Sequence, residues 1–262
     1  MIEYITLAAI ILVGFIAGFV NTIAGSGSLL TLPLLMFLGL PAGIANGTNR
    51  VGVLVQNFVG VFAYKKRKIL DTHAGSEFAL PTAIGGLIGA VLAVNTEDRI
   101  MEYVIGIVLF VMFFVFIFKP EKWINTFVDK LQAQFPVVQN IICFLIGVYG
   151  GYIQVGVGFF FLAMLVIASG HNMERANALK VYLGLIFTAC ALVIFFINMK
   201  VDVAIGLILA VGNMLGAMVA AKWFEINKTP RYLRLFVSVF SLGLCLLFAL
   251  KYLHLLPYFI KF

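Results

Sequence analysis

Apolar runs separated by short polar punctuation dominate this sequence. Tyr4–Ala24, Ile44–Tyr64, Glu77–Val94 and Ile100–Phe118 each approach the roughly 20 residues that a helix needs to cross a bilayer. Leu29–Leu40 is equally apolar but shorter, bounded by Gly25-Ser26-Gly27-Ser28 before it and Gly39-Leu40-Pro41 at its end. As a helix it would rise about 18 Å against a hydrocarbon core of about 30 Å. It therefore reads as a half-helix, a re-entrant piece or a span completed by unwound backbone. After a hydrophilic stretch, Lys119–Pro136, the plan recurs. Val137–Ile153 is followed by a short apolar piece, Phe159–Ser169, then by Met173–Asn198, Val203–Ala221 and Tyr232–Leu253. The pattern predicts an all-α polytopic membrane protein built from two repeats of about five segments, about eight to ten transmembrane helices with the short or re-entrant ones counted. The expected divisions are 1–118, a polar linker 119–136, and 137–262.

Residue identities support the duplication. A shift of 131 pairs Gly25 with Gly156, Gly27 with Gly158, Gly39 with Gly170, Ala45-Asn46 with Ala176-Asn177, Asp71 with Asp202 and Gly85 with Gly216. Glycine and alanine coincide by chance in so small-residue-rich a chain, whereas the two Asn and two Asp at a common offset do not do so readily. An odd number of crossings per repeat would make the repeats inverted. Placing the Lys65-Lys66-Arg67-Lys68 cluster in the cytoplasm then puts Asn95–Asp98 outside, and gathers Lys119–Lys130, Lys222, Lys228 and Arg231 inside, as the positive-inside rule requires.

Composition agrees and narrows the class. Of 262 residues, 63% are hydrophobic and 11% charged, and the mean hydropathy is +1.11. A soluble domain is about 45–50% apolar and about 25% charged, so a soluble enzyme, a disordered chain and a nucleic-acid module are excluded. The net charge of +7 is read as a topology signal, and no nucleic-acid partner is expected. Met1–Ala24 lacks the basic n-region of a signal peptide and is read as the first membrane helix. Cys143, Cys190 and Cys245 have no metal or redox spacing and read as small buried hydrophobes; His73, His171 and His254 are isolated near loops.

The candidate chemistry lies where the apolar pattern fails. Backbone at membrane depth must be satisfied internally or line a cavity. The break Gly25-Ser26-Gly27-Ser28 exposes amide N–H groups and opens a helix, and a helix N-terminus attracts anions. Gln154-Val155-Gly156-Val157-Gly158 occupies the matching place, so Gln154, Gly156 and Gly158 join the candidates, with Asn21 and Thr22 just before the first break. Asn46, Thr48, Asn49 and Arg50 open the third segment, Gln56 and Asn57 follow, and Asn177 and Lys180 occupy the equivalent stretch. Ionisable residues within a membrane segment are functional candidates by default, and either cation would neutralise an anion. For each of these residues the structural alternative stands beside the functional one: small residues serve helix packing, and a cation near a helix start snorkels.

The absences matter as well. No Asp or Glu lies deep in a span, no Walker-type phosphate loop is present, and no His-Glu, Cys or Ser-His-Asp arrangement supports catalysis. An enzyme is not expected, nor a cofactor or metal. A channel with the same lining, and a membrane scaffold that transports nothing, are the rival classes.

The run Gly18-Phe19-Val20-Asn21-Thr22-Ile23-Ala24-Gly25-Ser26-Gly27-Ser28-Leu29-Leu30-Thr31-Leu32-Pro33 resembles the sulfite exporter TauE/SafE (TSUP) family. Leu38–Pro41, Ala45–Arg50, the basic loop Lys65–Lys68, Arg175–Lys180 and Gly206–Gly216 are similar to later parts of the family pattern. That pattern commonly places an acidic residue before each glycine-rich break, where Asn21 and Gly150 stand here. The resemblance implies a multi-pass permease of the inner (plasma) membrane that moves, commonly exports, a small sulfur-containing anion such as sulfite, thiosulfate or an organosulfonate. A coupling ion, H⁺ or Na⁺, and a homo-oligomer belong to the same expectation.

Overall fold

The computed structural model describes residues 2–117 and 136–223. These form helices α1 (Ile2–Ala24), α2 (Ser28–Phe37), α3 (Ala42–Lys66), α4 (Thr72–Val94) and α5 (Asp98–Ile117), then α6 (Pro136–Tyr152), α7 (Val157–Ile167), α8 (Met173–Ile197) and α9 (Val203–Trp223). No strand occurs among the described residues. Thr6–Ile23, Thr72–Val94, Met173–Ile197 and Val203–Ala221 are long and apolar enough to cross a membrane, and the architecture is that of an all-α polytopic membrane protein. Linker residues 119–135, the expected segment Tyr232–Leu253, and Lys228, Arg231, Cys245 and His254 lie outside the described residues.

Helix ends follow from local chemistry. Asp71 precedes α4 and accepts hydrogen bonds from the His73 and Ala74 N–H groups, so α4 starts at Thr72, ahead of the apolar run at Glu77. The Ala74 and His73 donors hold the Asp71 carboxyl below its ordinary pKa. Asp202 does the same for α9, accepting from the Ile205 N–H at 2.9 Å. The paired aspartates are thus N-caps, satisfying amides that a helix start leaves free. Asn172 caps α8 through the Arg175 N–H at 2.9 Å.

The offset of 131 recurs in the backbone. α3 and α8 start at 42 and 173 and end at 66 and 197, and α4 and α9 start at 72 and 203. The positive-φ residues fall into pairs at the same offset: Gly25 (75°) with Gly156 (71°), Gly39 (94°) with Gly170 (67°), and Lys68 (58°) with Met199 (56°).

Packing pairs correspond too. α1 lies on α9 as α6 lies on α4; α3 lies on α9 as α8 lies on α4; α3 and α8 pack on each other. Glycines give the register, because they bring backbones into contact. Gly14 faces Leu209, Gly18 faces Asn213, and Gly216 faces Phe15 and Phe19, so α1 and α9 run parallel. Gly85 faces Phe144, while Gly89 faces Val148 and Tyr152, so α4 and α6 run parallel. Gly47 meets Lys200 and Gly52 meets Leu209 and Asn213, making α3 parallel to α9; Gly75 meets Tyr182 and Gly86 meets Phe187, making α4 parallel to α8. In contrast Gly60 meets Val181 while Gly184 meets Asn57, so α3 and α8 are antiparallel. It follows that α1 opposes α6, α3 opposes α8 and α4 opposes α9.

The short helix α2 turns back. Gly27 packs on Ala17 and Asn21 of α1, and Ser28 and Thr31 both bond Asn49 of α3. With residues 38–41 forming the turn into α3, α2 runs antiparallel to α3 and hence to α1. Its Leu29, Leu30, Leu32 and Leu35 are buried, so this apolar half-helix lies within the bundle.

One prediction concerns the left-handed position after α8. Met199 is 85% exposed at φ 56°, so its side chain contributes strain and little packing. An L-residue there costs about 1–2 kcal/mol, offset in part by glycine's larger unfolded-state entropy, about 0.5–1 kcal/mol. Met199→Gly is expected to raise the melting temperature in detergent by about 1–3 °C. A lowered temperature would contradict this reading of the helix end.

Candidate functional site

The breaks meet. α1 ends at Ala24, Gly25 turns the chain and α2 begins at Ser28; α6 ends at Tyr152, Gly156 turns and α7 begins at Val157. A methyl group on Gly25 would lie 2.5 Å from the Gly158 carbonyl carbon, and one on Gly158 would lie 2.5 Å from the Gly25 Cα. Only glycine permits this contact.

Each interrupted helix leaves carbonyls at its C-terminal end, and the opposite half supplies their donors. At the end of α1, Lys180 Nζ donates to the Asn21 and Thr22 carbonyls at 3.2 and 3.1 Å. Asn177 Nδ2 donates to the Thr22 carbonyl at 3.1 Å and to the Tyr64 hydroxyl at 2.6 Å. At the end of α6, Arg50 donates through Nη1 to the Gly150 carbonyl at 3.0 Å and through Nη2 to the Gly151 carbonyl at 2.7 Å. Asn46 Nδ2 donates to the Tyr152 carbonyl at 2.8 Å, and its Oδ1 accepts from Arg50 Nη2 at 3.4 Å. The Arg50 guanidinium also lies 4.5 Å from the Phe195 ring centroid, a cation–π geometry. The equivalent Asn46 and Asn177 thus do the same work in opposite directions, each beside a cation that complements a helix C-terminus.

The two cations differ in what else they touch. Arg50 is 0% exposed and is not among the residues that line the cavity at the crossing. Lys180 lines a cavity at the crossing, together with Asn21, Ser28, Asn57, Gln154 and Gly158 and an apolar wall of Val53, Val157, Phe161, Gly184 and Phe187. About 30 Å³ of it admits the centre of a water molecule, room for a ligand of a few heavy atoms, since one water needs about 10–15 Å³ on that measure. Ser28 Oγ accepts from Asn49 Nδ2 at 3.1 Å, leaving its O–H to donate. Asn21 Oδ1 accepts from the Gly27 N–H at 3.3 Å, leaving its NH₂. Gln154 Nε2 donates to Thr188 Oγ1 at 2.5 Å, while its Oε1 has no partner among the described residues. Among the described residues no carboxylate lines the cavity. One cation and several neutral donors without an acid make an environment for an anion.

The other candidates hold the walls. Thr22 Oγ1 donates back to the Gly18 carbonyl at 2.8 Å. Ser26 is buried, and its hydroxyl has no partner among the described residues; a methyl on Gly27 would sit 2.1 Å from the Ala17 carbonyl oxygen. Asn49 joins Ser28 and Thr31. Thr48 Oγ1 accepts from the Asp202 N–H at 2.9 Å, and Gly156 faces Met112. Sequence reasoning left Val53, Asn57 and Thr188 out of the site. A signal was present: Val53 and Asn57 follow Arg50 at helical spacing, and the 131-residue offset carries Val53 to Gly184 and Asn57 to Thr188.

An all-helical bundle whose interrupted helices meet at a buried polar cavity belongs to the multi-pass membrane transport proteins. The comparisons specify which. The sequence profile of the family described as sulfite exporter TauE/SafE matches residues 10–248, and the chain belongs to that family. It is 27% identical to the "probable membrane transporter protein ORF9" of a Sinorhizobium species, over 92% of this chain and 91% of the relative. It is 24% identical to the "probable membrane transporter protein YfcA" of Escherichia coli K12, over 92% and 88%. A "probable membrane transporter protein" of Haemophilus influenzae is 22% identical over 90% and 91%. No solved structure matches. The protein is a multi-pass transporter of the cell membrane, with a small-molecule substrate and a lipid surround.

The geometry separates the cations experimentally. Arg50→Met removes both donors from the Gly150 and Gly151 carbonyls and should cost about 2–5 kcal/mol, since each orphaned buried acceptor costs about 1–3 kcal/mol. The expected result is a lower melting temperature in detergent. An unchanged one would show that the Gly150 and Gly151 carbonyls do not need Arg50.

Proposed function

We propose that the protein is a secondary transporter, working as an exporter, of a small sulfur-containing anion such as sulfite, thiosulfate or an organosulfonate. The carrying observation is the acid-free cavity at the junction of the two breaks, where Lys180 and Ser28 present donors to the same small space. Family membership supplies the sulfur chemistry; the donor set supplies the preference for negative charge.

In this reading residues 1–118 and 137–262 are inverted repeats, and the anion is passed between the two sides as one repeat rocks against the other. The common offset of helix starts and of positive-φ residues supports duplication, and the opposed directions of α1 and α6, α3 and α8, and α4 and α9 support inversion. A small cavity at the crossing of the two breaks suits a carrier, which binds its cargo at one site between the repeats, better than a continuous pore. Asn21, Ser28, Gln154 and Lys180 form the binding group, and Asn46, Asn49, Asn177 and Arg50 hold the helix ends that shape it.

The test is flux into proteoliposomes loaded with sulfite or thiosulfate. Saturation and counterflow are expected of the wild type. Ser28→Ala should raise the half-saturating concentration about 12- to 160-fold, the loss of one hydrogen bond to a charged ligand at about 1.5–3 kcal/mol. Flux that neither saturates nor shows counterflow would contradict the carrier, and an unchanged half-saturation would remove Ser28 from the site.

A further inference from the structure

We propose that Lys180 Nζ is the site of a proton that binds together with the anion, so that each negative charge taken up enters with one H⁺. The inference rests on the transporter reading above and adds to it the identity of the coupled ion and the atom that carries it.

A neutral amine carries two N–H bonds and a lone pair, whereas an ammonium carries three N–H bonds. Lys180 Nζ has two protein acceptors, the Asn21 and Thr22 carbonyls. Two hydrogens serve those acceptors in either protonation state, so the caps on α1 survive loss of the proton. The remaining tetrahedral position of Nζ is a lone pair in one state and a third N–H in the other. Lys180 is 4% exposed and lines the same cavity as Ser28. The proton therefore adds one cation and one donor where an anion would sit.

The surroundings make the two ligands interdependent. A charge taken out of water needs a partner, and none of the cavity's lining residues is acidic. Among the described residues, α1, α3, α4, α6 and α7 pack against α8. α1 and α7 bring no titratable side chain to Lys180. α3 brings Arg50 and Tyr64, the latter bound to Asn177; α6 brings Cys143, Tyr149 and Tyr152; α4 carries His73 and Glu77 in its first two turns. On α8 itself stand Glu174, Arg175, Tyr182 and Cys190. No carboxylate among these touches Lys180, so an anion in the cavity is the missing counter-charge. Each ligand then strengthens the other's binding by the same factor. Arg50 cannot serve in this way: a guanidinium stays charged, and this one is sealed beneath Phe195 away from the cavity.

Methanesulfonate tests the proposal, because it is a fixed monoanion that carries no proton itself. Calorimetric titration of the purified protein, repeated in buffers of different ionisation enthalpy, counts protons taken up per anion. As pH rises through the titration of the unliganded Lys180 amine the expected uptake climbs toward one, and above it affinity falls about tenfold per pH unit. Any binding retained by Lys180→Arg should take up no proton. Affinity independent of pH with no proton uptake in the wild type would overturn the proposal. Wild-type uptake persisting in Lys180→Arg would overturn the assignment to Lys180. Absence of binding for methanesulfonate, thiosulfate and sulfite at every pH would instead remove the transporter reading, and this proposal with it.

Discussion

A helix that stops inside a bilayer exposes carbonyls that neither water nor a following turn will satisfy, at a cost of several kcal/mol for each group left bare. Two helices of this protein stop in that way, and each is completed by a cation and an asparagine from the opposite half. Lys180 and Asn177 close α1; Arg50 and Asn46 close α6. Each half thus supplies donors to helix-end carbonyls of the other. The buried cations first belong to the architecture, therefore, and the ligand chemistry is built on what they have left over.

What they have left over differs. Arginine's planar fork matches two successive carbonyls and stacks on an aromatic face, and Arg50 uses the Gly150 and Gly151 carbonyls and Phe195 in that manner. Lysine is a compact donor with three directions. Lys180 spends two on Asn21 and Thr22, and its side chain lines the cavity. Near-equivalent positions of the two halves have thereby taken separate roles, one closing the structure and one addressing the cargo. The backbone contact between Gly25 and Gly158 draws the donors of both breaks to a space of atomic dimensions.

Much of this was legible in the sequence. Hydropathy alone located α3 and α8 to within a few residues, because a membrane segment must be apolar along its length. The 131-residue offset was visible in Asn46/Asn177 and Asp71/Asp202, and the structure gives both pairs a physical cause: carbonyl caps in one case, N-caps in the other. Sequence could not reveal that Arg50 faces away from the cavity while Lys180 faces into it. Both are basic, both lie early in a long helix, and only the packing of Phe195 over one of them separates their roles. Nor could it show that α2 turns back along α1, since a half-helix and a completed span share one hydropathy profile. Asn57 was visible as a polar residue within a span but was not assigned to the site, because its place at the cavity beside Gly184 follows only from the packing of α3 on α8.

The account's central claim is that the cargo binds at the junction of the breaks through Lys180 and Ser28, while Arg50 remains on its carbonyls. An experimental structure with selenite, a heavier analogue of sulfite, addresses this directly, because selenium is located by its anomalous scattering. The account predicts a peak in the cavity, with oxygens about 3 Å from Lys180 Nζ and Ser28 Oγ and Arg50 still bonded to Gly150 and Gly151. A selenium peak beside Arg50, or one with neither Lys180 nor Ser28 in reach, would contradict it.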